Sequence, residues 1–312
     1  MPKIAPCHAV LAVLGFCLLV TPAQAQLTRT FVSAANGNDA NNCDRPTPCR
    51  TLQAAHDKTA DQGEVSVLVP GGYGTLTITK SISIINDGVG EAGISVPANG
   101  IGVTVNAPAD SYVSLHGLTI LGAGVGGTGV SFTGGAGLTI TNCVIRNHTK
   151  RAVMVRTPGP VSLSLSRTVI ADNPNDGIYV LTQASGSVRA SFKHVEIYNT
   201  GAAGLYLNST GGGAITAALE DSVVANSRLY GVAVQALNDQ PSTLTVVRSA
   251  VINNALGIVA TGGSSVWLGQ STITGNTVSW QGAGSPGVQS FGDNYLAGNA
   301  DGNPGPPVIA KK

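Results

Sequence analysis

Between Leu138 and Leu207 one pattern runs almost three times, and it constrains the fold more than any other feature of the chain. It starts as Leu138-Thr139-Ile140-Thr141-Asn142-Cys143-Val144-Ile145 and returns as Leu163-Ser164-Leu165-Ser166-Arg167-Thr168-Val169-Ile170. A third copy reads Ala190-Ser191-Phe192-Lys193-His194-Val195-Glu196-Ile197. Related stretches begin at Val113, Ala217, Leu244 and Val266, so that successive starts lie 25, 25, 27, 27, 27 and 22 residues apart. Each copy alternates apolar and polar residues, breaks at a turn, alternates again, and ends in a Gly-aliphatic segment such as Gly177-Ile178-Tyr179-Val180. Alternation is the period of a strand with one buried face. A fixed spacing in the twenties means that each unit buries its apolar side only by stacking on the next, which is a solenoid.

Numbering each unit from its first apolar residue as position 0 makes the geometry explicit. Positions 0, 2, 5 and 7 are aliphatic or small and point inward from two short strands. A third strand lies at positions 15 to 17, preceded by Ala152, Gly177, Gly204 or Gly231. The spacing predicts one core column through Ile145, Ile170 and Ile197, at position 7 of adjacent coils. Position 9 holds Asn147, Asp172, Asn199, Asn226 and Asn253, an expected structural ladder in which stacked amides satisfy the groups freed where the chain bends. A leucine-rich repeat would need a Leu-rich consensus with helices, which this sequence lacks.

The ends differ from the repeat. Residues 1–25 carry Lys3, an apolar run from Ala9 to Val20 and Ala23-Gln24-Ala25, the features of a signal peptide whose core is too short to span a bilayer. The expected mature protein is secreted or periplasmic, without a membrane span. Net charge is +1, so no bulk electrostatic argument points to nucleic acid or to a membrane surface. Cys7 and Cys17 would leave with the signal, Cys43 and Cys49 would meet an oxidising compartment as a local disulfide, and Cys143 reads as a small buried hydrophobe. Residues 26–64 are expected to cap the first coil, with a helix over Thr51–Ala60 N-capped by Thr51. Coils follow over 65–297, and a mobile tail over 298–312.

The stretches Phe31-Val32-Ser33, Asn38-Asp39, Pro48-Cys49-Arg50-Thr51, Ala54-Ala55 and Pro70-Gly71-Gly72-Tyr73 resemble the N-terminal module of secreted bacterial proteins of the pectate-lyase-like superfamily. That resemblance implies an all-β fold, a right-handed parallel β-helix with three short strands per coil and an N-terminal helical cap. It is specific for architecture and weak for activity, because the superfamily includes lyases, hydrolases, epimerases and adhesins.

A hydrolase of this architecture needs clustered carboxylates at a defined separation. The Asn-Thr-Asp, Asp-Asp, Gly-His-Gly and Arg-Ile-Lys signatures of polygalacturonases are absent, and Asp172, Glu196 and Glu220 are scattered. A calcium-dependent lyase needs a carboxylate cluster beside a base. Bases crowd one coil, namely Arg146, His148, Lys150, Arg151 and Arg156, but no metal site is evident and calcium enters only under the lyase alternative; no other cofactor is implied. Arg151 and Asp176 share position 13 and are expected to form an exposed ion pair. Position 4 reads Arg167, His194, Asp221 and Arg248, which the plainer reading makes solvated turn decoration. Outward position 6 is mostly apolar, as a loop-covered or contact surface would be.

The strip at position 16 is the best candidate for a ligand. Met154, Tyr179 and Tyr206 succeed one another coil by coil, and two tyrosines one rung apart would make a flat aromatic face for a sugar ring. Lys150, Arg151, Arg156 and Asp176 lie beside it, so an acidic polysaccharide is the partner that fits. Cross-strand packing of the two rings is the plainer account. The sequence therefore favours a noncatalytic surface protein that binds polysaccharide or another partner. A divergent lyase, epimerase or hydrolase site near Lys150 to Asp176 is the alternative, and oligomeric state is unassigned.

Overall fold

A strand that alternates apolar and polar residues must be stacked to hide one face, and this chain stacks its strands by winding. In a computed structural model, which describes residues 26–184, 186–237, 242–284 and 286–311, every long-range strand pairing is parallel. The first and second strands of the coils form a nineteen-stranded sheet, and the third strands form a nine-stranded one. The architecture is the expected right-handed parallel β-helix. The segment expected to be a signal peptide, with Cys7 and Cys17, lies outside the described residues. No helix among the described residues is long and apolar enough to cross a membrane.

The predicted register holds. Leu138, Ile140, Cys143 and Ile145 are all buried. Ile120, Ile145, Ile170, Ile197, Val224, Val251 and Ile273 pair in one column at position 7, each at most 1% exposed. Small residues at the entrance to the third strand follow from close approach. A Cβ on Gly177 would stand 2.7 Å from the Gly204 carbonyl oxygen and 2.9 Å from Ile197 Cγ2.

Two corners bend each coil, and each uses one residue in the left-handed region. At position 9, Asn147, Asp172, Asn199, Asn226 and Asn253 have φ of 55 to 60°, a conformation that Asn and Asp tolerate better than other side chains. The outward ladder forms in part: Asn199 Nδ2 donates to Asp172 Oδ1 at 2.9 Å and Asn226 Nδ2 to Asn199 Oδ1 at 3.1 Å. At position 4, Asn142, Arg167, His194, Asp221, Arg248 and Gln270 have φ of 47 to 54°. Nothing about Arg or Gln favours that conformation, so at Arg167, Arg248 and Gln270 the wound backbone overrides local preference.

The more consequential polar ladders point inward, one residue after each corner. There the backbone N–H has left the strand pairing and is buried, so it needs another acceptor. The next coil's side chain supplies it. At position 10, His148 N donates to Asn173 Oδ1 at 3.0 Å, Ser227 N to Asn254 Oδ1 at 2.8 Å, and Asn254 N to Asn276 Oδ1 at 2.9 Å. At position 5, Val195 N, Ser222 N and Ser249 N donate to Ser222, Ser249 and Ser271 Oγ at 3.0, 3.2 and 3.2 Å.

The cap works by imitation of a strand. The helix is Leu52–Lys58, shorter at both ends than the predicted span; the Thr51 side chain accepts from Ala54 N, as its N-cap role requires. Its Gln53 amide faces the edge of the nine-stranded sheet, accepting from Thr77 N at 2.8 Å and donating to Thr77 O at 3.3 Å. One side chain thus does the work of a missing rung. The strand Leu27–Val32 already pairs with Thr59–Val67, so winding begins inside the segment expected to be only a cap. Cys43 and Cys49 are disulfide-bonded, with Cα atoms 4.6 Å apart. At the other end the segment from Gly298, expected to be mobile, is tied across the last coil. Ser290 N donates to Pro307 O, Ile309 N to Ser290 O, and Trp280 Nε1 to Pro304 O, at 2.9, 2.9 and 2.7 Å.

Candidate functional site

The third strands Val153–Thr157, Ile178–Gln183 and Ala203–Gly211 place position 16 on their outward side. Met154 pairs with Tyr179, Tyr179 with Tyr206, and Tyr206 with Ala233, so the four form one column. Two residues further on, Arg156, Leu181, Asn208 and Gln235 make a second column on the same face.

The two tyrosines do not make a flat face. Their centroids are 5.3 Å apart and their planes meet at 75°, edge to face, the arrangement that the ring quadrupole favours over a sandwich. The Arg151 guanidinium carbon lies 4.2 Å from the Tyr179 centroid, occupying the ring face on which a sugar was expected to stack. What the strip offers is a row of polar ends. Tyr206 Oη donates to Gln235 Oε1. Asn208 Nδ2 lies 3.5 Å from Tyr179 Oη and 3.4 Å from Tyr206 Oη. Burial first, and then the neighbouring Tyr179, Tyr230 and Asp176, pushes the Tyr206 hydroxyl above its ordinary value, so it stays protonated through neutral pH. Asn208 and Gln235 escaped the sequence reading, although the period located them: they are the position-18 residues of coils whose position 16 had been singled out.

The Arg151–Asp176 pair is not the exposed ion pair the sequence suggested. Arg151 Nε donates to Asp176 Oδ2 at 2.9 Å, and the side chains are 29% and 6% exposed. Asp176 Oδ1 accepts from Ala203 N at 3.2 Å. The carboxylate therefore joins two coils, and Arg151 serves it from the rim while covering Tyr179. Lys150 and Arg156 are exposed and have no carboxylate within salt-bridge distance among the described residues.

His148 does not belong with these cations. It is wholly buried, with Nε2 3.2 Å from Ile120 O and Nδ1 without a partner. Desolvation holds its pKa below the ordinary histidine value, so it is a neutral member of the inner ladder. Cys143 is likewise buried, its thiol pushed up to about 11 by desolvation. The position-4 column is solvated: Arg248 bridges Asp221 through Nε and Nη2 at 2.7 and 3.1 Å. At position 6, Val144, Val169, Val223 and Ala250 are half-buried. Among the described residues no three His, Cys, Asp or Glu side chains converge as a metal site would require.

The family described as right handed beta helix region matches residues 99–278, more than half of the chain. No curated protein sequence matches significantly. Among solved structures, the pectate lyase Pel9A superposes with a TM-score of 0.55 at 15% identity, covering 91% of this chain and 82% of that one. The A-module of the mannuronan C-5 epimerase AlgE4 from Azotobacter vinelandii gives 0.46 at 12% identity, over 80% of this chain and 91% of that one. A GH136 lacto-N-biosidase from Eubacterium ramulus gives 0.43 at 11%, over 91% and 67%. At such identity the first likeness concerns fold alone, and the other two scores carry no argument.

Proposed function

The chain belongs to the right-handed β-helix family, and from that premise we propose that it is an exported protein that binds an acidic polysaccharide along its third face without cleaving it. The observation that carries this reading is the registered double column of Tyr179, Tyr206, Asn208 and Gln235. Its hydroxyl and amide groups repeat at one rung, about 4.8 Å, on the outward side of the third strands, where the tyrosines and Gln235 are half-buried and Asn208 is buried between them, and hydroxyls and amides are the partners that sugar hydroxyls use. Lys150 and Arg156 at its margin supply the preference for acidic chains. Binding is favoured over catalysis because the one carboxylate in the cluster, Asp176, is committed to Arg151 and to the Ala203 amide, leaving no acid free for general acid or base work.

The test is a glycan array on purified protein, followed by incubation of each hit and analysis for unsaturated or reducing-end products. Retained binding without products is expected, with weaker binding in Tyr206→Ala and Asn208→Ala at every salt concentration. Accumulating products would replace this reading with a lyase or hydrolase.

A further inference from the structure

The last coils carry a cavity that the third-face strip does not reach. Val247 pairs with Gly269, and Phe291, whose N–H donates to Leu268 O at 2.9 Å, stands on the following rung. The glycine leaves a notch between two apolar side chains. A Cβ on Gly269 would stand 3.2 Å from Phe291 Cδ2 and 3.7 Å from Asp293 Oδ1, so a ring and a carboxylate both border the space that the missing side chain leaves. Trp267 lies two residues before Gly269 on the same side of its strand. Its Nε1 donates to Gln289 Oε1 at 3.0 Å, on the paired residue of the next coil, which fixes the indole.

The segment that crosses the last coil supplies the remaining wall. The cavity, of about 650 Å³, is lined by Val247, Trp267, Phe291, Asp293, Ile309 and Lys311 around Gly269, and it has the size of an ordinary small-molecule site. At its rim Lys311 Nζ donates to Asp293 Oδ2 at 2.7 Å and Gln270 N to Asp293 Oδ1 at 3.1 Å. These donors, Lys311 foremost, hold the Asp293 carboxyl below its ordinary value, so it is ionised at neutral pH. The Lys311 side chain is 61% exposed and that of Asp293 25%, so the ammonium can turn into solvent while the carboxylate stays at the cavity.

We propose that this cavity binds an organic ammonium ion of the quaternary type, with its methyl groups against Trp267 and Phe291 and its charge at Asp293. Each part of the lining selects one property of that ligand. The chain has only five Phe and two Trp, and one of each lines this cavity; aromatic faces attract a cation, and most strongly one shielded from water. Asp293 is the one carboxylate in the lining, and it already holds an ammonium, that of Lys311, which the ligand replaces. Val247 and Ile309 add hydrocarbon. A primary ammonium would bring three N–H donors to such walls, whereas a fully methylated nitrogen brings none and leaves no donor unpaired. The site shares no residue with the Tyr179–Tyr206 strip and does not rest on that strip being functional.

The test is isothermal titration of the full protein with choline, benzyltrimethylammonium and 3,3-dimethylbutan-1-ol, the uncharged isostere of choline. At least one of the two cations should bind at millimolar concentration or below, at least tenfold more tightly than the isostere. Asp293→Asn keeps an acceptor for Gln270 N and should remove that preference. Trp267→Leu should weaken binding of the cation at least tenfold. Lys311→Met removes the competing ammonium and should tighten binding at least threefold, a gain that a general loss of structure would not produce. Gly269→Val fills the notch and should abolish binding. Failure of both cations to bind, or an isostere that binds as well as choline, would overturn the proposal. So would Asp293→Asn or Trp267→Leu proteins that bind like the parent, or a Lys311→Met protein that binds no more tightly.

Discussion

Asn253 and Asn254 are neighbours in sequence and should differ severalfold in what they contribute. Asn253 sits at the corner with φ of 55° and points outward, so Asn253→Ala loses little beyond the left-handed preference, about 1 kcal/mol. Asn254 is 2% exposed. Its Oδ1 accepts from Ser227 N at 2.8 Å, and its Nδ2 donates to Asn276 Oδ1 at 3.0 Å and Val224 O at 3.3 Å. Asn254→Ala leaves the Ser227 N–H buried without an acceptor, about 1–3 kcal/mol, and removes two further hydrogen bonds of about 1 kcal/mol each, for a total of about 3–5 kcal/mol. A loss of that size is a large part of the stability of an ordinary domain. Equilibrium urea unfolding followed by far-UV circular dichroism would measure it, provided the slope with denaturant is shared by parent and variants. Asn253→Gly should be close to neutral, since glycine adopts the corner freely. If Asn253→Ala proves as damaging as Asn254→Ala, or if Asn254→Ala costs under about 1 kcal/mol, the inner ladder does not hold the corners and the reasoning fails.

Three further outcomes are expected. Ile170→Asp puts an unpaired charge into a fully buried column and should abolish soluble, folded protein; a soluble variant with parental melting would contradict the register. Arg151→Ala strands the buried Asp176 carboxylate and should cost about 2–3 kcal/mol in urea unfolding, the rim position of Arg151 reducing the figure for a fully buried pair, whereas adding Asp176→Asn should recover part of the loss. Stability should also fall with acid through His148: its folded pKa is held below the ordinary value by desolvation, so the unfolded chain takes up the proton first. The contribution is complete above the unfolded value of about 6.5 and is lost as pH drops from there toward the folded pKa. His148→Asn, which places an inner-ladder amide at the same site, should flatten that decline between about pH 7 and 5.

The repeat alone determined the winding. Alternation at positions 0, 2, 5 and 7 and a period in the twenties leave a chain no way to bury its apolar residues except by stacking coils, and the structure buries those columns. The ladder at position 9 was legible for the same reason: Asn or Asp recurs at that one corner from Asn147 to Asn253. The inner ladder was not legible, because position 10 carries His148, Asn173, Thr200, Ser227, Asn254 and Asn276. These share no side-chain class, only a polar atom and a place beside a freed N–H. The positive φ of Arg167 and Arg248 was hidden likewise, since stacking imposes it against local preference. At the candidate site, the period placed Tyr179 above Tyr206 but left the ring planes open. A ring turns about two side-chain bonds, and its settled orientation depends on Arg151, Asn208 and Gln235, which reach it from adjoining coils. Contacts of that kind join residues 25 or more apart in sequence, and only the wound chain brings them within an ångström scale where such choices are made.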